Sequence, residues 1–432
     1  MPQPDLNLKH VFDRLFARRA DKPLVFGEAL VRKPEAKADA GLPSPPPAAS
    51  LAVLPSALLS RILAMAKRVG RRPTSMVIGV DLGSSAIKMV RVDRSGGTPK
   101  VVGLVCEEYP PHSEGKAQEA FIQTRFQELK RQGFLDGQLV FGVANSQLAV
   151  ELVTLPKMPM ADLSRAVSWE AKERLAADVA AYSIRHLLLG ETATDGQPQY
   201  EILIIAAPRE DIVSQWRTFS SQGFRIVAVE PGILASVEAC EEGGMWRPQE
   251  FVGLLEIGRR ASTLALLVQG VVRFVRSFPI AGDSITQSIV DYCQTNFEAA
   301  ETQKRDIGLS QMALEEDRRI GTEADPRVRV SHALGLYLER LSAEIDHSLR
   351  YFTFELGQAK DRRFDCLYLV GGGALLKNFA PFLSSRVNAR VEVINPFERC
   401  QMTDDARRQL GMNGTGTRLS AALGLALRPL GK

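Results

Sequence analysis

From residue 76 onward the chain alternates short apolar runs with amphipathic stretches, and the spacing predicts the elements. Met76–Leu82 is rich in β-branched residues, residues 83–85 are small and polar, and residues 86–92 alternate apolar with polar, a pattern that predicts a β-hairpin. Helical spacing follows near 118–132, then a strand at 138–143 and, after Pro156–Pro159, a helix over roughly 162–177 decorated with acids and bases. A strand at 200–207, a helix at 210–222, a strand at 225–229 and a helix from about 231 to 241 complete this half. Residues 241–249 (EEGGMWRPQ) break the pattern. The next half opens as the first did: strand Phe251–Ile257, turn 258–262, strand 263–268, a tight turn at Gly270 and strand Val271–Phe278. Helical stretches at 284–295 and 330–358 follow, the latter with Leu334, Leu338, Leu341, Ile345 and Leu349 at helical spacing. The chain closes with a strand at Cys366–Val370, the glycines 371–373, a helix, a strand at 391–394 and a helix near 418–427. Two halves that each begin with a strand–glycine–strand hairpin and end in helices predict duplicated α/β lobes with a cleft between them.

The first 75 residues follow a different pattern. Residues 32–50 (RKPEAKADAGLPSPPPAAS) have almost nothing large and apolar to bury and are expected to be a disordered or polyproline-like linker. It separates two short basic amphipathic segments, 8–19 with Val11, Phe12, Leu15 and Phe16, and 56–69 with Leu58, Leu59, Ile62, Met65 and Val69, for which Ser56 is an expected N-cap. Two readings fit these segments: helices that dock on the body or a partner, or interfacial membrane helices with Arg61, Lys67, Arg68, Arg71 and Arg72 toward the headgroups. Charge sharpens the contrast, because residues 1–75 carry 13 Lys/Arg against 6 Asp/Glu, so that the extension is +7 and the remainder −3 of a net +4. Such a split points to a basic tail meeting anionic lipid or an acidic partner and argues against nucleic acid as a ligand of the body.

Composition otherwise narrows the class. A chain of 432 residues, 45% apolar and 24% charged, is expected to form about two to four soluble domains. No apolar run reaches the roughly 18 to 20 residues of a spanning helix, and Lys9, Arg14, Arg18 and Arg19 interrupt the pattern of a secretory signal, so a cytoplasmic location is expected. The five cysteines, Cys106, Cys240, Cys293, Cys366 and Cys400, are scattered and never in C-x-x-C spacing, which speaks against a disulfide framework or a zinc site.

Two glycine-rich elements carry candidate chemistry. In IGVDLGSSAIKMVRVD (78–93), Gly83 lets the turn approach a phosphate without a Cβ, and the amides and hydroxyls of Ser84 and Ser85 can donate to its oxygens. Asp81 at the strand end suits a hydrated Mg²⁺, and Lys88 is spaced to offset phosphate charge; an ordinary β-turn fits the same residues. In YLVGGGALLKNF (368–379) a strand meets three glycines and a helix, where helix-terminal amides suit an anion and a flat base can lie against the main chain, although a plain strand–helix connection uses the same residues.

The order and separation of these loops resemble the phosphate-1, phosphate-2 and adenosine loops of the actin superfamily, and within it the PilM family over nearly all of residues 76–428. The resemblance is carried by LPKMPMADLSRAVSWEAKERLAADVAAYSIRHLLLGE (155–191), with its Pro-rich turn, helix and following strand, and by EILIIAAPREDIV (201–213) and GFRIVAVEPGILA (223–235). FPIAGDSIT (278–286), AAETQKRDIGL (299–309) and EIDHSLRYF (344–352) extend it. It implies an α/β, actin-like (ribonuclease H-like), two-lobed ATPase fold with a small extra subdomain in the first lobe, as in FtsA. The implied divisions are a first lobe at 76–154 and 223–248, an inserted peptide-binding-side subdomain at 155–222, a second lobe at 249–290 and 365–432, and its helical subdomain at 291–364. ATP and Mg²⁺ are the implied cofactors. Asp81 would orient the metal; Gly83, Ser84, Ser85 and Lys88 would cradle the β- and γ-phosphates, faced by Gly258; Glu301 and Lys304 would border the adenosine above Gly371, Gly372 and Gly373. The implied partners are the cytoplasmic tail of a PilN-like inner-membrane protein and the motor and platform components of pilus assembly. The second loop departs from the family pattern: it reads EIGRRAST, with Glu256 where Asp is usual and Arg259–Arg260 after the glycine, which separates nucleotide binding from turnover. Another actin-like assembly protein, from a secretion system or resembling FtsA, and a small-molecule kinase are the alternatives. The kinase lacks a carboxylate base in the usual context between Val140 and Pro159, and an FtsA-like C-terminal amphipathic helix is not seen.

Overall fold

The structure, a computed structural model, describes residues 75–110, 113–143, 148–174, 179–194, 196–247, 249–310, 325–354, 365–413 and 416–428. The expected N-terminal linker and the segments 8–19 and 56–69 lie outside the described residues.

The first half is built on β1 (Met76–Leu82), β2 (Ala86–Asp93), β3 (Lys100–Glu108), α1 (Lys116–Arg131) and β4 (Gln138–Val143). It continues through β5 (Ala149–Pro156), α2 (Met160–Arg174), β6 (Tyr182–Thr194), β7 (Gln197–Pro208), α3 (Arg209–Ser221), β8 (Arg225–Pro231) and α4 (Gly232–Glu242). The second half comprises β9 (Phe251–Ile257), β10 (Ser262–Val268), β11 (Val271–Phe278), α5 (Gly282–Cys293), α6 (Phe297–Ile307) and α7 (Pro326–Phe354). It ends with β12 (Cys366–Val370), α8 (Phe379–Val387), β13 (Arg390–Val393), β14 (Gln401–Met402), α9 (Asp404–Asn413) and α10 (Ser420–Leu427).

The strands form two sheets, ordered β14-β3-β2-β1-β4-β8 and β13-β12-β9-β10-β11-β5-β7-β6. Each contains the same five-strand unit. In the first, β1 pairs antiparallel with β2 and β2 with β3, while β1–β4 and β4–β8 are parallel. In the second, β9–β10 and β10–β11 are antiparallel, and β9–β12 and β12–β13 parallel. The duplication read from the two hairpins is therefore a duplication of whole sheets. Burial explains the runs: β10 (STLALLV) and β12 (CLYLV) are covered on both faces and read as continuous apolar segments.

Two features were not visible in the periodicity. The strands β5, β7 and β6 attach to the second sheet, through antiparallel pairing of β5 with β11 at Val150↔Val275. One face of β5 and β7 packs on α2 through Leu163, Val167 and Ala171, forming a small core of its own. The chain after residue 400 also returns to the first half, although it was expected to stay with the second lobe to residue 432. There β14 pairs with β3, and Leu423 and Ala426 of α10 join Val90 and Val92 of β2 in one cluster. The physical reason is the small-residue surface of α10 (SAALGLAL), which permits a closeness that larger side chains forbid. At Gly424 a Cβ would sit 1.7 Å from the Ala235 carbonyl of α4.

That contact can be tested directly. Gly424→Ala forces α10 away from α4 and is expected to destabilise the protein by about 1–3 kcal/mol, as overpacking does, seen as a lower urea midpoint. An unchanged midpoint would contradict the close approach.

Candidate functional site

The two hairpins end in turns of the same construction. In Gly83-Ser84-Ser85-Ala86 the Gly83 amide donates to the Ala86 carbonyl at 3.1 Å; in Gly258-Arg259-Arg260-Ala261 the Gly258 amide donates to the Ala261 carbonyl at 3.0 Å. Asp81 and Lys88 are direct cross-strand partners below the first turn, and the Lys88 ammonium donates to Asp81 Oδ2 at 2.8 Å. Glu256 holds the corresponding place below the second turn, opposite Thr263. Burial depresses the Lys88 pKa, but the Asp81 carboxylate and then the Glu256 carboxylate outweigh it, and the ammonium titrates above its ordinary range. The first half thus pairs Lys88 directly, and the Glu256 charge of the second half favours the same ammonium.

Arg259 closes the gap between the turns. Its Nε donates to both carboxylate oxygens of Asp283, at 2.8 and 3.0 Å, and its guanidinium also donates to the Ser84 carbonyl at 3.4 Å. The backbone reinforces this, since Gly282 and Asp283 at the start of α5 donate to the Gly258 and Arg259 carbonyls at 3.0 and 2.8 Å. Arg260 points elsewhere, to Glu114 at 2.6 Å. The Ser85 carbonyl is taken by the Tyr109 amide at 3.0 Å.

Glu301 and Lys304 lie on α6, whose N-terminus is capped by the Asn296 side chain. Lys304 Nζ donates to Glu301 Oε2 at 2.5 Å, to Thr286 Oγ1 at 2.6 Å and to the Gly282 carbonyl at 3.1 Å, which ties α6 to the start of α5 beside the second turn. Thr286 also donates to Glu301 at 2.5 Å. Burial alone would raise the Glu301 pKa, but Lys304, Thr286 and Arg305 hold it down at about 2.

The three glycines follow β12, as expected, but lead into a tight 3₁₀ turn over Gly372–Leu375 before α8 begins. Gly371, with φ 90°, and Gly373 are required by packing: a Cβ on either would come within 2.5 and 2.2 Å of Ile257, the last residue of β9. Gly372 instead faces Arg418, which pairs with Glu108 at the end of β3 at 2.9 Å. The Leu309 amide donates to the Lys377 carbonyl at 3.0 Å, joining α6 to this loop. The structure therefore gathers Asp81, Gly83, Ser84, Ser85, Lys88, Glu256 and Gly258 into one group, and links Glu301, Lys304 and Gly371–Gly373 to it through α5 and Ile257. Asp283, Thr286, Arg418 and Glu108 were not singled out by sequence. Asp283 lies in the quoted FPIAGDSIT segment, whereas nothing local marks Arg418 or Glu108.

The sequence profile described as type IV pilus assembly protein PilM matches residues 79–430. The chain belongs to the PilM family. A solved PilM-PilN type IV pilus biogenesis complex superposes with a TM-score of 0.67 at 22% identity, covering 83% of this chain and 100% of that one. The ethanolamine utilization protein EutJ from Carboxydothermus hydrogenoformans gives 0.46 at 15% identity, over 87% of this chain and 99% of that one. MreB5 of Spiroplasma citri bound to ADP gives 0.46 at 12%, over 79% and 97%. The fold is the actin-like one. Among the described residues, no helix is long and apolar enough to cross a membrane.

The α6 network carries a pH signature. A Glu301 pKa of about 2, against an ordinary 4.5, means its contribution to stability is complete above pH 4.5 and is lost as pH falls toward 2. Glu301→Gln is expected to flatten this part of the stability profile, read as urea midpoints between pH 5 and about 2.5. Parallel profiles for the two proteins would contradict the network.

Proposed function

We propose that this chain is a cytoplasmic scaffold of type IV pilus assembly that clamps ATP with Mg²⁺ between its two lobes and holds the cytoplasmic N-terminal tail of a PilN-like inner-membrane protein, connecting it to the motor and platform components. The observation that carries the nucleotide part is the Asp81–Lys88 pair beneath the first turn, faced by a second turn of the same construction that reaches it through Arg259 and the Ser84 carbonyl. A carboxylate at the end of each of the two strands suits the water shell of a hydrated divalent cation, so the residues present fit Mg²⁺. Asp81 and Glu256 would hold the metal's water shell, and the metal would neutralise phosphate charge. Lys88, Ser84, Ser85 and the turn amides would bind the phosphates, with Glu301 and Lys304 on the adenosine side.

Nucleotide then acts as a structural ligand, because anything that prefers the closed arrangement of the lobes shifts the equilibrium toward it. Turnover is expected to be slow or absent, given Glu256 and Arg259 in the second turn. The partner reading draws support from the family and from the solved PilM-PilN complex, and from the inserted subdomain: Trp169 on α2, in the W-E-A segment, is 63% exposed, a large aromatic side chain outside any core. The +7 charge of the extension supports a tether to anionic lipid near the partner, two weak basic segments on one chain reinforcing each other.

Calorimetric titration with ATP and Mg²⁺ tests the site: Asp81→Ala and Lys88→Ala should each weaken binding about tenfold or more, the scale of one charge-assisted contact. Wild-type affinity in both would refute the assignment, and steady phosphate release well above about one per second would favour an enzyme. For the extension, sedimentation with anionic vesicles should be stronger for the full chain than for a chain beginning at Thr74 and should weaken with salt. Equal, salt-insensitive sedimentation would exclude an electrostatic tether.

A further inference from the structure

The two turns share one backbone design but not one chemistry. Where the first presents Ser84 and Ser85, the second presents Arg259 and Arg260 at the matching positions, each turn closed by the same glycine-to-alanine hydrogen bond. The second pair of side chains diverges. Arg260 leaves for Glu114 on the exposed surface, whereas Arg259 turns across to the first loop and reaches the Ser84 carbonyl at 3.4 Å.

Three properties of Arg259 go beyond a structural brace. Asp283 engages its Nε, which orients the guanidinium from behind, while Nη1 reaches the first turn. That Nη1 contact is a long one, to a neutral carbonyl, and weaker than the same donor would form with an anion. The surrounding backbone holds the loop in place, because the Arg259 carbonyl is itself fixed by the Asp283 amide at 2.8 Å. An oriented, half-buried guanidinium whose outward donors have only a weak partner is suited to a bidentate anion at that point.

We propose that Arg259 is a triphosphate-sensing residue: its outward guanidinium edge takes the terminal phosphate of the bound nucleotide, exchanging the Ser84 carbonyl for phosphate oxygens and joining the two turns through the ligand. The inference rests on the nucleotide reading of the cleft. With the base on the α6 side, the phosphate farthest from it is the group that reaches between the turns, so a diphosphate leaves Arg259 on Ser84 and a triphosphate engages it. Arg259 thereby turns the presence of the last phosphate into lobe closure, without any need for hydrolysis.

The test compares ATP and ADP, each with Mg²⁺, by calorimetric titration of the full chain as wild type, Arg259→Gln and Arg259→Lys. The wild type is expected to prefer ATP. Arg259→Gln should weaken ATP binding about tenfold or more, the scale of a charge-assisted hydrogen bond, while ADP affinity stays within about twofold. Arg259→Lys, which keeps the charge but loses the fork, should fall between the two and serves alone if the Gln variant does not fold. Equal losses for ATP and ADP, or an unchanged ATP affinity, would overturn the sensing role while leaving the nucleotide site standing. A wild type that binds neither nucleotide would overturn both.

Discussion

Lys88 is the cation on which the two halves of the molecule converge. Its side chain is only 13% exposed, and burying such a charged group without compensation would be costly. Asp81, its cross-strand neighbour, supplies the direct partner, and Glu256 from the other half adds a second negative charge. This one requirement constrains much else. It is met by the Asp81↔Lys88 register of the first hairpin, and the approach of the end of β9 brings the Glu256 charge to bear on the same ammonium.

The packing around Ile257 enforces that approach. The last residue of β9 sits against Gly371 and Gly373, so the glycine loop after β12 is held by the same strand end that positions Glu256 and Gly258. From there α5 carries the arrangement to Glu301 and Lys304 through Gly282 and Thr286. The candidate site is thus a connected set of contacts between rigid elements, and α10, returning to the first half through its small-residue face, closes the first sheet behind it.

Much of this was legible in the sequence, for reasons particular to each element. The first hairpin could be read because β-branched alternation meets a small turn, the second because two apolar runs flank a glycine-led turn, and α7 because its leucines recur at helical spacing. β3 (KVVGLVCEE) gave no clean alternation, and α6 (FEAAETQKRDI) is too polar to show a core-facing stripe, with only Ala300 among its residues buried. The return of the chain to the first half is a long-range event that local pattern does not encode, and the partnership of Arg418 with Glu108 follows from it. The glycines 371–373 were recognised as a loop, but the reason for two of them lies in Ile257, more than a hundred residues away. The Arg259–Arg260 departure was plain in sequence; that the two arginines point in different directions was not.

The most direct measurement is a crystal structure of the full chain grown with a non-hydrolysable ATP analogue and Mg²⁺. The account predicts a triphosphate lying between the Gly83–Ala86 and Gly258–Ala261 turns, with the Lys88 ammonium in contact with phosphate oxygens and the adenosine beside α6. An analogue bound elsewhere, or a cleft left empty with the Asp81–Lys88 pair unchanged, would contradict it.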